Sequence, residues 1–431
     1  MATSANLELG QDAPERLRDR LWRAFSLRRN LHLLFVPPQS HLRPIDGWRA
    51  ISILWVVVFH TAWYSLGNIP MANYSQMVFS SWMIPVWRGD FGVDIFFVIS
   101  GFLIAGMLLD ERERTGRLRL GLFYVRRLMR LWPALFVAAI VNVTVLHDNP
   151  WKLWANLLYV SNFFPIYRLT MVWTWSLAIE EQFYLVCPWL VKALARLTHS
   201  ARMVALAAVA FVLLAVGVRV VLAGDFHALD SEIVINRDII VWVRGFERLY
   251  VKPWMRAGPL LMGVVAAYLF RSAHVMESIA RKRISATVGF ALALGIAVVS
   301  THWQYFAKVP RVVEIAYLVS YRTAFGAAIA YMVLLSLSQH PMGKWLGRAL
   351  SSRILYPIGQ LAYSAYLLNP IVAMRVHHDR GPLVGQGLGS PMGLFLPLDV
   401  GITFLGAAAL YLFVERPSME LRPKAVQIRA S

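Results

Sequence analysis

Ten apolar runs punctuate this sequence, at about 47–66, 89–109, 131–147, 173–190, 204–223, 257–270, 285–302, 312–338, 357–375 and 392–414. A bilayer's hydrocarbon core takes roughly 20 residues of helix to cross, and the backbone groups inside it must be satisfied within the segment. The runs therefore predict an all-α protein, a polytopic transmembrane helical bundle of about ten spans. The run at 257–270 is short and has to borrow flanking residues or sit where the bilayer thins. With 58% hydrophobic residues, 16% charged residues and a mean hydropathy of +0.53, the chain is too apolar for a soluble globular protein of its size.

The basic residues fall between the runs. A formal net charge of +19 suggests nucleic acid at first sight, but nucleic-acid binders gather such charge on one soluble surface, so no nucleic-acid partner is expected. Assigning alternate connections to opposite sides puts 29 Lys and Arg on one side and 12 on the other, with Arg219 and Arg322 inside spans. The positive-inside rule makes the richer side cytoplasmic, and both termini with it. The aromatic stretch 151–167, interrupted by Asn162 and Pro165, is either an eleventh span or an interfacial helix. Charge favours ten spans, because an eleventh would put the basic connections after it outside.

Residues 1–42 form a basic cytoplasmic extension, and its pattern from about 14 to 36 suits an amphipathic helix on an anionic membrane face. Residues 43–417 form the membrane domain and 418–431 a cytoplasmic tail. The polar, Arg-rich opening predicts no removable signal peptide, and no soluble domain is expected after the last span. A single cysteine, Cys187, excludes an internal disulfide or a Cys-based cluster. The His377–His378 pair lacks further ligand-spaced partners, so no metal is expected.

Ionisable residues at membrane depth are the candidates for function, because packing alone does not recover the cost of burying them. In RAISILWVVVFH, Arg49 and His60 lie eleven positions apart. That is about three turns, so they share a helix face, roughly 16 Å apart along the axis. Arg49 then sits at the cytoplasmic entrance and His60 past the midplane. GDFGVDIFFVISGFLI at 89–104 enters from outside, with Asp90 near the surface and Asp94 a turn deeper. FYVRRLMRLWPAL at 123–135 carries Arg126, Arg127 and Arg130 just before its span, and the last two can grip a phosphate or carboxylate from two sides.

WTWSLAIEEQFYL at 173–185 sets Glu180 and Glu181 inside a span, near the depth of His60. Adjacent helical residues point about 100° apart, so at most one of them faces a given partner. A carboxylate near an imidazole can orient it and raise its basicity, as a general base requires. Arg322 lies about ten residues into its span and needs an anionic or polar partner, a ligand or a neighbouring helix. Tyr363, Tyr366 and Asn369 recur every third residue in GQLAYSAYLLNP, a polar stripe suited to a hydroxyl-bearing ligand or to helix-to-helix hydrogen bonds. YLFVERP at 411–417 ends the last span with Glu415 and Arg416, read as a snorkelling pair.

Together these stretches resemble the membrane-bound acyltransferase-3 family, which O-acylates carbohydrates and some other hydroxylated molecules. Arg49 and His60 match its Arg-x10-His motif, Arg127 and Arg130 its basic motif, and WSLAIEEQFYL its glutamate block. GDFGVDIFFVISGFLI, GQLAYSAYLLNP and YLFVERP look like its other signatures, except that Asn369 stands where the family usually has His. The match covers about 43–417. Many relatives add a soluble hydrolase-like domain that completes transfer, and a chain without one either transfers directly or relies on a separate periplasmic partner.

The resemblance implies a bacterial inner-membrane enzyme with cytoplasmic acyl-CoA, acetyl-CoA above all, as donor and a carbohydrate hydroxyl as acceptor. Arg49, Arg126, Arg127 and Arg130 are then expected to hold the CoA phosphates. His60 acts as general base on the acceptor hydroxyl, assisted by Glu180 or Glu181, with Asp94 among the catalytic groups. Asp90, Trp175, Tyr184, Arg322, Tyr363, Tyr366 and Asn369 are expected to line the substrate. Alternatives are a small hydroxylated acceptor of macrolide type, a proton-coupled transporter, and a membrane sensor or scaffold.

Overall fold

The computed structural model of the chain describes residues 17–65, 83–197, 216–221, 239–302, 309–378 and 389–423, together with positions 210 and 213. Every regular element among them is helical. The principal helices are α1 Leu17–Ala24, α2 Leu27–Phe35, α3 Arg43–Ser65, α4 Phe91–Thr115, α5 Leu120–Leu146, α6 Trp175–Leu197, α7 Pro253–Arg271 and α8 Ala273–Arg281. They continue with α9 Arg283–Thr301, α10 Arg311–Ser336, α11 Pro341–Leu350, α12 Leu355–Gln360, α13 Ala362–His378, α14 Gly389–Leu410 and α15 Arg416–Leu421.

Among the described residues, five helical stretches are long and apolar enough to cross a membrane: α4, α5, α9, α10, and Phe395–Leu421, where α14 runs through a π-turn into α15. A sixth appears if α7 and α8, bent by 86° at their junction, are taken together. Of the remaining expected spans, α13 has only 17 residues, and α3 and α6 carry the ionisable residues singled out above. Most of the run at 204–223 lies outside the described residues, as do 1–16 of the N-terminal extension and 424–431 of the tail.

Burial separates centre from periphery. An 18-residue stretch of α4 is 72% buried and one of α10 78%, against 22% for α9. The α9 surface shows Ile284, Val288, Leu292, Ile296 and Val299 to its surroundings, which suits contact with lipid rather than water. At the centre, α4 and α7 touch backbone to backbone, because a Cβ on Gly263 would strike the Val98 carbonyl and one on Gly101 the Leu260 carbonyl. Small residues allow this approach where no hydrophobic force drives helices together.

The N-terminal amphipathic segment is two helices rather than one. Ser26 caps α2 by accepting from the Arg29 N–H, which breaks the run after Ala24. The pair clamps the C-terminal helix, Arg20 reaching the Leu421 carbonyl (3.0 Å) and Arg29 the Glu420 carboxylate (3.2 Å). Leu17, Leu21, Trp22, Phe25, Leu27 and Phe35 stay exposed.

The stretch 151–167 is no span. It consists of short turns, Pro150–Lys152, Trp154–Leu157, Ser161–Phe163 and Ile166–Arg168. Asn156 bonds the Thr170 carbonyl and the Thr174 hydroxyl, both at 2.8 Å, and Asn162 pairs with Gln182. These side chains give the loop's buried polar groups partners that a helix would have supplied itself.

Candidate active site

Two cavities lie end to end in the bundle. The first is bounded by α3, α4, α5, α6 and α13. Arg49, Arg127 and Arg130 line it together with Ser100, Ser176, Glu180, Tyr184, Tyr363 and Tyr366. Arg127 packs over the rings of Tyr184 (5.2 Å) and Phe123 (5.8 Å), which holds its guanidinium in place. Arg126, one position away and so about 100° around α5, points elsewhere, its Nε donating to the Pro423 carbonyl at 2.7 Å.

The two glutamates divide in the same way. Glu180 faces the basic cavity and accepts from the Ser100 hydroxyl at 2.5 Å. Glu181 does not line that cavity, and its Oε1 is buried without a hydrogen-bond partner. Among the described residues neither carboxylate is hydrogen-bonded to His60. The orientation expected from a glutamate comes from a different side chain.

That side chain is Asn369. His60 Nδ1 lies 2.8 Å from Asn369 Oδ1. With the amide oxygen so placed, a neutral imidazole that donates from Nδ1 to it keeps the Nε2 lone pair free. His60 lines the second cavity with Phe59, Trp63, Tyr64, Trp173, Trp175, Trp242, Phe246 and Tyr250. Asp90 is the carboxylate in its wall. Among the described residues Asn369 Nδ2 is buried without a hydrogen-bond partner.

Asp94 stands apart from both cavities. It is fully buried, its oxygens accepting from Arg256 Nη1 (3.0 and 3.1 Å) and Arg322 Nη1 (2.5 Å). Arg322 also donates to Asp90 at 2.6 Å, and Arg88 reaches the other oxygen of Asp90 at 3.5 Å. Arg256 lies over the rings of Tyr250 (4.0 Å) and Trp175 (4.7 Å). The partner that Arg322 required is therefore a pair of aspartates, Asp94 on α4 and Asp90 at its N-cap, and Asp94 ties α4 to α7 and α10 and is not hydrogen-bonded to His60. Glu415, expected to snorkel, is instead 2% exposed and accepts from the Ser364 hydroxyl at 2.7 Å.

The polar stripe on α13 links the cavities. Tyr363 lines the basic cavity and donates to the Leu131 carbonyl (2.7 Å), Tyr366 lines both cavities, and Asn369 holds His60. Tyr184 belongs to the basic cavity, Trp175 to the aromatic one. Sequence reasoning missed Ser100, Ser176 and the aromatic wall of Trp63, Trp173, Trp242 and Phe246. It also placed Arg256 in an outside loop, whereas the residue is fully buried. Ser176 sat inside the glutamate block and could have been found there; the aromatic wall converges from three separate stretches and left no local signal.

Residues 43–412 match the family described as the acyltransferase domain, Acyl_transf_3. A Staphylococcus aureus MRSA252 protein named "Putative O-acetyltransferase" is 29% identical over 90% of this chain and 59% of its own length. O-acetyltransferase OatA of S. aureus NCTC 8325 is 26% identical over 88% of this chain and 57% of its own. The chain thus spans just under three fifths of the length of these curated relatives. No solved structure matches it. The match over most of the chain means that the protein belongs to the acyltransferase-3 family.

Proposed function

We propose that this chain moves an acyl group, acetyl above all, from cytoplasmic acyl-CoA to a hydroxyl of a carbohydrate, such as an exported or cell-surface polysaccharide or its lipid-linked precursor. In this reading the bundle has ten spans in a bacterial inner membrane with both termini cytoplasmic. The observation that carries it is the juxtaposition of a cavity lined by three arginines with a second cavity lined by His60, whose Nδ1 lies against the Asn369 amide oxygen. Arg49, Arg127 and Arg130 are suited to the diphosphate and phosphate of CoA, and Arg126 lies too far round α5 to join them.

The chemistry balances without a further reactant. His60 Nε2 takes the proton of the acceptor hydroxyl as its oxygen attacks the thioester carbonyl carbon. The tetrahedral intermediate collapses, the C–S bond breaks, and the imidazolium returns the proton to the departing thiolate. Asn369 holds the ring in the required tautomer, and Glu180 sits on the donor side with Ser100, opposite the guanidinium groups. The walls around His60 are aromatic, and such faces stack on the apolar faces of sugar rings. The same scarcity of polar groups also accommodates a small hydroxylated metabolite of macrolide type.

The test is His60→Ala. Thiol release from acetyl-CoA by the purified protein, and O-acetylation of surface glycans followed by mass spectrometry, should both be lost while the protein remains in the membrane. Retained activity would refute the base assignment. Unchanged glycans beside a newly acylated small molecule would select the metabolite reading.

A further inference from the structure

Among the described residues, the two cavities share two wall residues, Val93 of α4 and Tyr366 of α13. Both are buried. Tyr366 lies three residues, about 4.5 Å along α13, before the asparagine that holds His60. Val56, one turn before His60 on α3, lines the aromatic side of the same partition. The partition therefore stands beside the imidazole, on the side facing the arginines.

Both residues are pinned. The Tyr366 hydroxyl is 2.5 Å from the Trp173 carbonyl, to which it must donate, and 2.6 Å from Ser176 Oγ, from which it then accepts. Gly92, next to Val93, is held against α3 by the Ser52 hydroxyl on its carbonyl. A Cβ at Gly92 would lie 2.6 Å from the Ser52 carbonyl oxygen and 2.7 Å from Val56 Cγ2, so the backbone carrying Val93 has no room to shift toward α3. A close-packed wall yields little to an extra methylene.

This inference rests on the functional reading above: a thioester approaching from the arginine cavity and a hydroxyl held beside His60 meet at this partition. The geometry points to Val93 and Tyr366 as the residues that grip the acyl group during transfer and limit its length, selecting acetyl-CoA and its nearest homologues. A longer chain would have to displace the wall or extend into the aromatic cavity, where the acceptor lies.

The experiment uses the purified full chain in nanodiscs and competes CoA, acetyl-, propionyl-, butyryl- and hexanoyl-CoA against radiolabelled acetyl-CoA. In the unmodified protein, affinity should fall by about tenfold or more once the chain exceeds what the partition holds. Val93→Ala should shift the preference by about tenfold toward propionyl- or butyryl-CoA, and Val93→Ile should penalise propionyl-CoA further. Tyr366→Leu probes the opposite wall and should relax the length limit. Binding of CoA itself should be the same throughout, which also reports that each variant is folded. Failure of the unmodified protein to bind either CoA or acetyl-CoA would overturn the donor reading, and the inference with it. Normal CoA binding with one unchanged chain-length order in all folded variants would overturn the inference alone. Should Val93→Ala lose CoA binding through misfolding, the conservative Val93→Ile and Tyr366→Leu decide the question.

Discussion

Asn369→Leu isolates the tautomer argument. Leucine matches the branching of asparagine but removes the oxygen that accepts from His60 Nδ1, 2.8 Å away. The buried Nδ1–H is then unpaired, at a cost of about 1–3 kcal/mol, which the imidazole avoids by moving its proton to Nε2 or by turning. Either escape removes the base. Losing a 1–3 kcal/mol preference for the competent form corresponds to a fall in kcat of about 5- to 150-fold. The KM for acetyl-CoA should not change, because Asn369 does not line the arginine cavity. Stability should not fall either, since the substitution also removes an Nδ2 that is buried without a partner. Asn369→Asp keeps an oxygen at the same place and should retain far more activity than the leucine variant. The assay is thiol release from acetyl-CoA against substrate concentration, with thermal unfolding of the same preparations. A leucine variant with the parent kcat, or one whose loss lies wholly in KM, would refute the reasoning.

Three further outcomes are expected. Arg127→Ala should raise the KM for acetyl-CoA by about 10- to 150-fold, the loss of one charge-assisted bond of about 1.5–3 kcal/mol, whereas Arg126→Ala, outside the cavity, should leave it unchanged; equal effects in steady-state kinetics would count against the donor site. Asp94→Asn should destabilise the protein by about 3–5 kcal/mol by leaving Arg256 and Arg322 undercompensated, read as a drop in thermal stability in detergent; a stable but inactive variant would return Asp94 to a role in the chemistry. Gly263→Val, which drives side-chain atoms into the Val98 carbonyl, should part α4 from α7 and lower the yield of folded protein, and normal yield would show that the contact is not tight.

Much of the site was legible because helical periodicity is local. Arg49 and His60 do line successive cavities from one helix, and Tyr363, Tyr366 and Asn369 do form one stripe on α13. The same rule foretold that Glu180 and Glu181 would face different surroundings, and it equally separates Arg126 from Arg127. It could not say which member of each pair faces inward. That depends on how α5 and α6 are rotated about their own axes, which packing against α4 and α13 decides.

The partners were illegible for a related reason. His60 and Asn369 are 309 residues apart, and Asp94 and Arg322 are 228 apart. No cation was visible over Asp94 in the sequence; Arg256 looked like one of the four arginines and one lysine of the connection at 224–256 until the fold buried it against Tyr250 and Trp175. Asn369, the one departure from the family's usual residue, was expected from the sequence to line the substrate and in space lies against His60 Nδ1.

By itself, then, the sequence determined that this protein is a helical membrane bundle of the acyltransferase-3 family and which faces of its helices carry polar groups, because apolar length and 3.6-residue periodicity are properties of contiguous stretches. Only the tertiary structure decided which of those groups meet: that an amide rather than a carboxylate holds His60, that Asp94 of α4 and Asp90 at its N-cap are spent on arginines, and that Val93 and Tyr366, among the described residues, line both cavities. Those choices are made by the rotation and register of helices packed side by side, which no local pattern encodes.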